Sequence, residues 1–328
     1  MPRNLSSQIN ATETNDHFEN LLFDVQFVKL KLDHHDDLFV EGLNNKPVTD
    51  YRAVVNLENQ EVLSVVSQNY DLIPNRTAFK EGKRLFRELT GIQRDGLLPF
   101  KVVASKRRTF CHVDFVNQNY NPIKFRQDTW LPFLRVTNSY NKTYLLRYQI
   151  GFVRALCSNG MIFDEESIVL KKAHVKNNGD FDIEAEVRSD RFRELRNNFI
   201  NSLDGLYKYN VPREYLIALT YKILSIKFQV KNSIKDFRIK AIEQKKQFEA
   251  KVNELADLYY AELDSTAYAV LNVLTDLLSH QEYDVIPNYA GRESGLQKKI
   301  YEWARDFPNE ISKKSFLWDE YVGTVSTG

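Results

Sequence analysis

The stretch Leu146-Arg147-Tyr148-Gln149-Ile150-Gly151-Phe152 indicates the fold class of the first half of the chain. Its large apolar side chains fall on every second residue, with polar side chains or glycine between them. Successive side chains of a β-strand point to opposite faces, so this period is typical of a strand with one buried face. We therefore predict a strand here whose even-numbered residues face the core.

The same period of two recurs at Val28–Leu32, where the even-numbered residues are apolar, and at Tyr51–Leu57, where the odd-numbered residues are apolar. We expect the apolar row of each strand to be buried. A helix is predicted over residues 76–90, because its apolar residues form one stripe. Asn75 is a candidate N-cap for this helix, and Gly91 is a candidate stop. The first half is thus predicted to be an antiparallel β-rich unit with one helix.

The hydrophobic period changes after about residue 182. Apolar residues now recur at steps of three and four, as Leu216, Leu219 and Ile223 do, which is the spacing of an amphipathic helix. We expect four to six helices between residues 182 and 307. The predicted class is α+β, with a β-rich half followed by a helical half. The predicted organisation is a flexible arm at 1–20, a β-rich core at 21–178 and a helical region at 179–328 that continues the same domain.

The composition is that of a globular protein. The chain has 328 residues, 43% of them hydrophobic, and a formal net charge of +1, so a core of ordinary size can be buried. Two cysteines, Cys111 and Cys157, are too few for a disulfide framework and favour reduced thiols in the cytoplasm. The sequence shows no signal peptide and no apolar run that reaches the length of a membrane span. We therefore expect a cytoplasmic protein without a membrane partner.

The near-zero net charge hides a basic segment. Residues 101–154 contain ten basic side chains and two acidic ones, Asp114 and Asp128. Aromatic residues lie between the basic ones, and rings beside cations are what proteins use to bind single-stranded nucleic acid. The candidate nucleic-acid-binding residues are Lys106, Arg107, Arg108, Arg126, Arg135, Tyr140, Tyr144, Arg147 and Arg154. The competing interpretation is a solvated sheet face whose aromatic residues belong to the core.

Catalytic and metal-binding patterns are weak. His34-His35-Asp36-Asp37 reads as a polar turn, because adjacent strand residues face opposite ways. His112 and Asp114 share one strand face, so the Asp114 carboxylate could orient the His112 imidazole as a general base, although no nucleophile accompanies them. Glu-x-Lys, a nuclease signature, occurs three times, each time on a predicted helix. The usual nucleotide, zinc-protease and zinc-finger motifs are absent from the sequence, so we expect no cofactor and no structural metal.

Three separate segments resemble the DUF932 family of phage- and plasmid-associated proteins of unknown function. They are VVSQNYDLIPN at 65–75, VTNSY at 136–140 with GFVRALCSNGM at 151–161, and LNVLTDLLSH at 271–280. They occur in the order typical of the family, and the resemblance extends over about residues 50–305. It implies that the β-rich core at 21–178 is DUF932-like. It also implies carriage on mobile elements of bacteria and work related to DNA in the cytoplasm of the host cell.

From these observations we predict a non-enzymatic nucleic-acid-binding protein of a phage or plasmid. It is expected to favour single-stranded DNA and to serve in recombination or replication. Two alternatives stay open. One is a metal-dependent nuclease or other hydrolase that uses His112 and Asp114. The other is a phage accessory or structural protein whose basic face binds a protein, and self-association into a homo-oligomer is compatible with each of these functions.

Overall fold

A computed structural model gives the architecture of most of the chain. The residues that it describes are 11–31, 47–92, 96–117, 119–154, 160–162, 170–172, 174, 189–228, 235–279, 285–286 and 293–323. The turn predicted at His34-His35-Asp36-Asp37 and the second cysteine, Cys157, lie outside the described residues, as does His280 of the third family-like segment.

The elements follow the predicted order, with strands first and helices second. The strands are β1 (Val25–Lys31), β2 (Pro47–Asn56), β3 (Val62–Ser67), β4 (Leu97–Ala104), β5 (Phe110–Asn117), β6 (Ile123–Phe125), β7 (Asp128–Ser139), β8 (Leu146–Arg154), β9 (Gly160–Ile162) and β10 (Leu170–Lys172). The helices are α1 (Ala11–Glu19), α2 (Asn75–Thr90), α3 (Ser189–Tyr207), α4 (Arg213–Leu224), α5 (Lys235–Leu263), α6 (Ala267–Ser279), α7 (Glu293–Ile311) and α8 (Trp318–Val322). Five of these helices begin between residues 182 and 307, within the expected number.

The strands form two antiparallel sheets. The small sheet has the order β1-β2-β3, and the large sheet has the order β10-β8-β7-β5-β4, with β6 on β7 and β9 on β8. Each described strand pair is antiparallel. The α+β class is therefore confirmed, with antiparallel sheets in the first half and helices in the second.

Both faces of the large sheet are buried along β8. The predicted even-numbered row, from Leu146 to Phe152, is buried in the main core with the helices. The opposite row is buried too from Gln149 to Val153, and Val153 packs with Val116 and Phe133 of the neighbouring strands in a second apolar cluster on that face. The sequence period correctly predicts the strand but underestimates its burial, since it cannot show what lies on the far side.

Residues 11–20, the described part of the flexible arm predicted for residues 1–20, are packed against the core. Residues 11–19 form α1, and the Phe18 ring is buried with its centroid 5.4 Å from Phe79 and 5.6 Å from Phe115. Leu21, just after the helix, is buried in the same core. This part of the chain is therefore an integral part of the β-rich half.

Helix α2 begins and ends where the sequence predicts, but its first turn is capped differently. Pro74 occupies the N-cap position and makes no side-chain capping bond. The Asn75 side-chain nitrogen Nδ2 instead donates to the Leu21 carbonyl (3.0 Å), and the Asn75 side-chain oxygen Oδ1 accepts from the Asn138 side chain (2.9 Å). Gly91 ends the helix in the left-handed conformation, with φ of 71°, as glycine stops commonly do.

The helical half is built around α6, whose residues from Ala267 to Leu278 are all buried. The long helix α5 buries side chains in its second part. Phe248, Val252, Leu255 and Tyr259 of α5 are buried, whereas residues 239–247 are exposed or half-buried. No helix within the described ranges combines the length and the apolar character needed to cross a membrane.

Candidate nucleic-acid interface

Two connections meet at one end of the large sheet. The β4–β5 turn (residues 105–109) and the β7–β8 loop (residues 140–145) are neighbours, because Phe110 of β5 pairs with Ser139 of β7. The Tyr140 amide donates to the Thr109 carbonyl at 2.7 Å, which joins the two connections directly. They carry four cations, Lys106, Arg107, Arg108 and Lys142, which we call the basic turn cluster.

Hydrogen bonds within each connection hold the cluster. In the β4–β5 turn, the Ser105 hydroxyl oxygen accepts from the Thr109 amide (2.9 Å), and Arg108 has a positive φ of 55°. In the β7–β8 loop, the Asn141 side chain accepts from the Thr143 amide (3.1 Å), and Lys142 has a φ of 63°. Arg107 and Arg108 lie in a turn and not in a strand, so they are not forced onto opposite faces of the sheet and both remain at this end of it.

The arginines of the cluster brace it against neighbouring elements. Arg107 Nε lies 2.7 Å from Glu61 Oε1, and its Nη2 donates to the Val62 carbonyl at the same distance. Arg108 Nη1 donates to the Asn20 carbonyl (2.9 Å). The Arg107–Glu61 pair is exposed and lowers the pKa of the Glu61 carboxyl through its hydrogen bond and charge. Exposed pairs of this kind add little to stability.

The lysines of the cluster are the more accessible charges. Both Lys106 and Lys142 are exposed. Lys142 Nζ lies 3.4 Å from the Ser67 hydroxyl oxygen of β3, and 5.7 Å from the centre of the Tyr70 ring. The cluster therefore borders the small sheet as well as the end of the large one.

Tyr144 and Arg147 are close to this end of the sheet but only partly exposed. The Tyr144 ring packs edge-on against Phe110, with 5.2 Å between ring centroids. Arg147 pairs in register with Thr137 of β7, and its Nε is buried without a hydrogen-bond partner among the described residues. Neither side chain presents a free aromatic face or a fully solvated charge.

Arg126 lies at the opposite end of the large sheet. It precedes β7, whose twelve residues span about 36 Å, whereas the basic turn cluster follows the other end of the same strand. The guanidinium of Arg126 is exposed and lies 4.4 Å from the centre of the Tyr207 ring. Because the length of β7 separates them, Arg126 and the basic turn cluster do not form one compact binding site.

Arg135 is buried and cannot contact a ligand at the surface. Its Nε and Nη2 each donate to an Asp114 carboxylate oxygen at 2.6 Å, and Nη1 donates to Gln297 of α7 at 3.1 Å. A two-point pair of this geometry is among the stronger ion pairs in proteins. It also engages Asp114, so the predicted His112–Asp114 pair does not offer a carboxylate that is free to orient a base.

Arg154 is buried in a second network, which joins the large sheet to the helices. Arg154 Nε donates to Asp128 Oδ1 at 2.7 Å, and the Tyr268 hydroxyl donates to Asp128 Oδ2 at 2.5 Å. The Trp130 indole N–H donates to the Tyr268 oxygen at 3.1 Å. Burial and the Asp128 charge raise the pKa of Tyr268 well above its ordinary value. Arg154 is therefore a structural residue rather than a contact for nucleic acid.

Tyr140 is buried as well and connects the two sheets. Its hydroxyl oxygen accepts from the Asn75 amide (2.9 Å), and its carbonyl accepts from the Ser64 hydroxyl of β3. Burial raises the pKa of Tyr140 above its ordinary range. Because the ring is enclosed, Tyr140 is not available to stack on a base, and the three buried residues Arg135, Tyr140 and Arg154 do not belong to a surface site.

The structure adds two residues that the sequence predictions leave out. Lys142 joins the cluster because the β7–β8 loop folds against the β4–β5 turn. Tyr51 of β2 has 51% of its surface exposed, and it pairs in register with Ser67, the residue that Lys142 contacts. Tyr51 belongs to the odd-numbered apolar row that the sequence predicts to be buried, so its exposure could not be predicted from the sequence.

Chemistry-bearing groups elsewhere are isolated. The described part of the chain contains no group of three or more His, Cys, Asp and Glu side chains that is able to hold a metal ion. Cys111 is a free, buried thiol, and burial raises its pKa to about 12. Its Sγ lies 3.6 Å from the Asn75 side-chain oxygen, inside the joint between α2 and β7.

Fold and site together define an α+β protein with a basic turn cluster at one end of an antiparallel sheet. Residues 62–305 match the model of a family described as a domain of unknown function, DUF932. Because the match extends over more than half of the chain, the chain belongs to the DUF932 family, as its three sequence segments indicate. No curated protein and no solved structure matches the chain.

Proposed function

We propose that this protein binds nucleic acid through the basic turn cluster, favours single-stranded DNA and does not act on it as an enzyme. The observation that carries the proposal is the convergence of Lys106, Arg107, Arg108 and Lys142 on two adjacent connections. Cations gathered at one place on a protein of near-zero net charge are the local signature of phosphate binding. Glu61, paired with Arg107, offsets part of this charge.

The pairing of the two internal carboxylates strengthens this proposal. Asp114 and Asp128 are the acidic residues of segment 101–154, and each is buried against an arginine, Arg135 and Arg154 respectively. Their negative charge is therefore cancelled inside the protein, away from the surface. These two carboxylates therefore do not offset the charge of the four cations in the basic turn cluster.

A wider biological role belongs to the same proposal. We infer carriage on a phage or plasmid, a part in recombination or replication, and a place in the cytoplasm of a bacterial host. These inferences rest on the resemblance of the three family-like segments. The nuclease alternative draws less support, because Asp114 is held by Arg135. A protein partner for the basic turn cluster remains the competing outcome of the test.

The test is a fluorescence-anisotropy titration with single- and double-stranded oligonucleotides of the same sequence, over a series of salt concentrations, with Mg²⁺ and with a chelator. For single strands the log–log slope of affinity against salt is about −0.7 per phosphate contact, so four contacts give a slope near −3. The double variant Lys106→Glu/Lys142→Glu is expected to weaken binding and to make the slope shallower by about 1.4. Binding is expected not to require Mg²⁺, so it persists in the presence of the chelator, while added Mg²⁺ weakens it as any competing cation does.

The matched control is Lys124→Glu/Arg126→Glu, which reverses two exposed charges at the opposite end of β7. It changes net charge equally but is expected to leave the salt slope unchanged. Equal losses in both double variants would indicate attraction by net charge alone. Absence of binding by the unaltered protein at low salt would overturn the proposal and favour a protein partner.

A further inference from the structure

One face of the small sheet carries exposed apolar side chains. Val28, Ala53 and Val65 lie side by side across its three strands, and Val55 pairs with Val62 in the next row. The small Ala53 side chain is buried between its neighbours, but Val65 has 56% of its surface exposed, and Tyr51, at the end of this face, has 51% exposed. We call these residues the outer face of the small sheet.

The exposure departs from what the strand pattern predicts. Of the odd-numbered apolar residues of β2, Ala53 is buried as predicted but Tyr51 is exposed, and it is the even-numbered Val54, with 0% exposure, that packs into the core of this sheet. That core includes Tyr70 and Tyr140, which anchor the small sheet to the large one. The sheet thus has apolar residues on both faces, and one of these faces packs in the core. Exposed apolar patches of a few hundred Å² on a protein surface are often functional.

Cations border this face along β3. Arg107 Nη2 donates to the Val62 carbonyl at one end of β3, and Lys142 Nζ approaches the Ser67 hydroxyl at the other. The two ends of β3 are about 17 Å apart, at about 3.3 Å per residue. Because Tyr51 pairs with Ser67, the exposed ring and the Lys142 ammonium lie on either side of one small side chain. Glu61 neutralises Arg107 in part, whereas Lys142 lies beside the exposed ring of Tyr51.

The size of the outer face speaks against a second copy of the chain as its occupant. Three strands of about six residues present roughly 300 Å², at about 4.8 Å between strands and 3.3 Å per residue. A stable protein–protein interface needs about 800 Å² from each partner. A small apolar face with one exposed ring and a cationic border instead suits a ligand with flat apolar groups on an anionic backbone.

We propose that the outer face of the small sheet is a stacking platform for unpaired bases, with Tyr51 as the ring that stacks and Lys142 as the adjacent phosphate contact. This inference rests on the proposed function and extends it, because it explains a preference for single strands. Unpaired bases expose their π faces to an aromatic side chain, whereas duplex bases are stacked on each other. Tyr51 and Val28 lie before residues 62–305, the part of the chain that matches the family model, so the proposed platform includes residues outside the matched part.

The experiment compares Tyr51→Ala, Tyr51→Phe and the unaltered protein in the anisotropy titration. Loss of a stacked ring is expected to weaken single-strand binding by about 5- to 150-fold, without a change in salt slope or in duplex affinity. Tyr51→Phe keeps the ring and is expected to bind single strands within about twofold of the unaltered protein. Leu258→Ala is the matched control, since Leu258 has the same 51% exposure on α5. Should Tyr51→Ala unfold, Tyr51→Leu replaces it.

The outcomes separate this inference from the proposed function. If Tyr51→Ala binds single strands as well as the unaltered protein while Lys106→Glu/Lys142→Glu binds weakly, the platform is wrong and the basic turn cluster stands. If the unaltered protein binds no single strands, both are wrong. A dimer in sedimentation experiments that dissociates in Val65→Asp would assign the outer face to a second copy and overturn the platform.

Discussion

At the scale of single residues, burial decides which charges are able to serve a ligand. The basic segment at 101–154 is readable from the sequence, and Lys106, Arg107 and Arg108 do lie at one exposed end of the sheet. Arg135 and Arg154 belong to the same segment but are enclosed with Asp114 and Asp128. A charge count cannot distinguish these groups, because the partner carboxylates come from other strands and turns, which the strand register brings into contact.

The Arg135–Asp114 pair leads to a stability prediction. Arg135→Ala leaves the Asp114 carboxylate buried without its partner, which typically costs about 3–5 kcal/mol of the free energy of unfolding. Arg126→Ala removes the same side chain from an exposed position and is expected to cost less than about 0.5 kcal/mol. Urea denaturation followed by circular dichroism measures both. Equal stability of the two variants would contradict the structural role given to Arg135.

At the scale of elements, local sequence period predicts the type of element better than its surroundings. The strand at Leu146–Arg154 and the helix at Asn75–Thr90 are both predicted with accurate bounds. The burial of β2 is predicted only in part, since Ala53 is buried as expected but Tyr51 is exposed and Val54 is buried instead; both faces carry apolar residues, and tertiary packing decides which are enclosed. Asn75 is wrongly predicted as a cap, because its side chain is taken up by Leu21 and Asn138 from distant parts of the chain.

Helix α1 offers a test of the same lesson, since its polar sequence predicts a loose arm. Phe18→Ala removes a ring that packs on Phe79 and Phe115, and a loss of about 3 kcal/mol in the free energy of unfolding is expected. His17→Ala, one residue earlier on the exposed side, is expected to change it by less than about 0.5 kcal/mol. A flexible arm would predict no effect from either change, and chemical denaturation distinguishes the two cases.

At the scale of the whole molecule, the two halves share a core and a polar network. Main-core residues come from α2, the large sheet and helices α3 to α7. The chain of hydrogen bonds from Trp130 through Tyr268 to Asp128 crosses between the sheet and α6. The sequence shows that the hydrophobic period changes at about residue 182, but it does not show that a common core and hydrogen bonds join the β-rich half to the helical half. The location of the turn cluster is unpredictable for the same reason, since it depends on strand pairing.

The shared core predicts a single cooperative unfolding transition. In the variant Trp303→Phe/Trp318→Phe, Trp130 is the remaining tryptophan and reports on the sheet. Circular dichroism in the far ultraviolet reports chiefly on the helices. The two signals are expected to follow coincident urea curves, as in two-state unfolding. Separate midpoints would show that the β-rich and helical halves unfold independently.

The partial burial of α5 has a consequence for the timescale of backbone opening. Its 29 residues form one continuous helix, and within the part whose side-chain burial is described, 239–263, the first buried side chain is that of Phe248. Amide protons of the stretch 239–247 are therefore expected to exchange with deuterium through local fraying, within a small free energy of the native state. Amides beyond Phe248 exchange only when α6 and its neighbours open. One helix thus carries a gradient of protection, from a fast N-terminal segment to a slow segment anchored in the core.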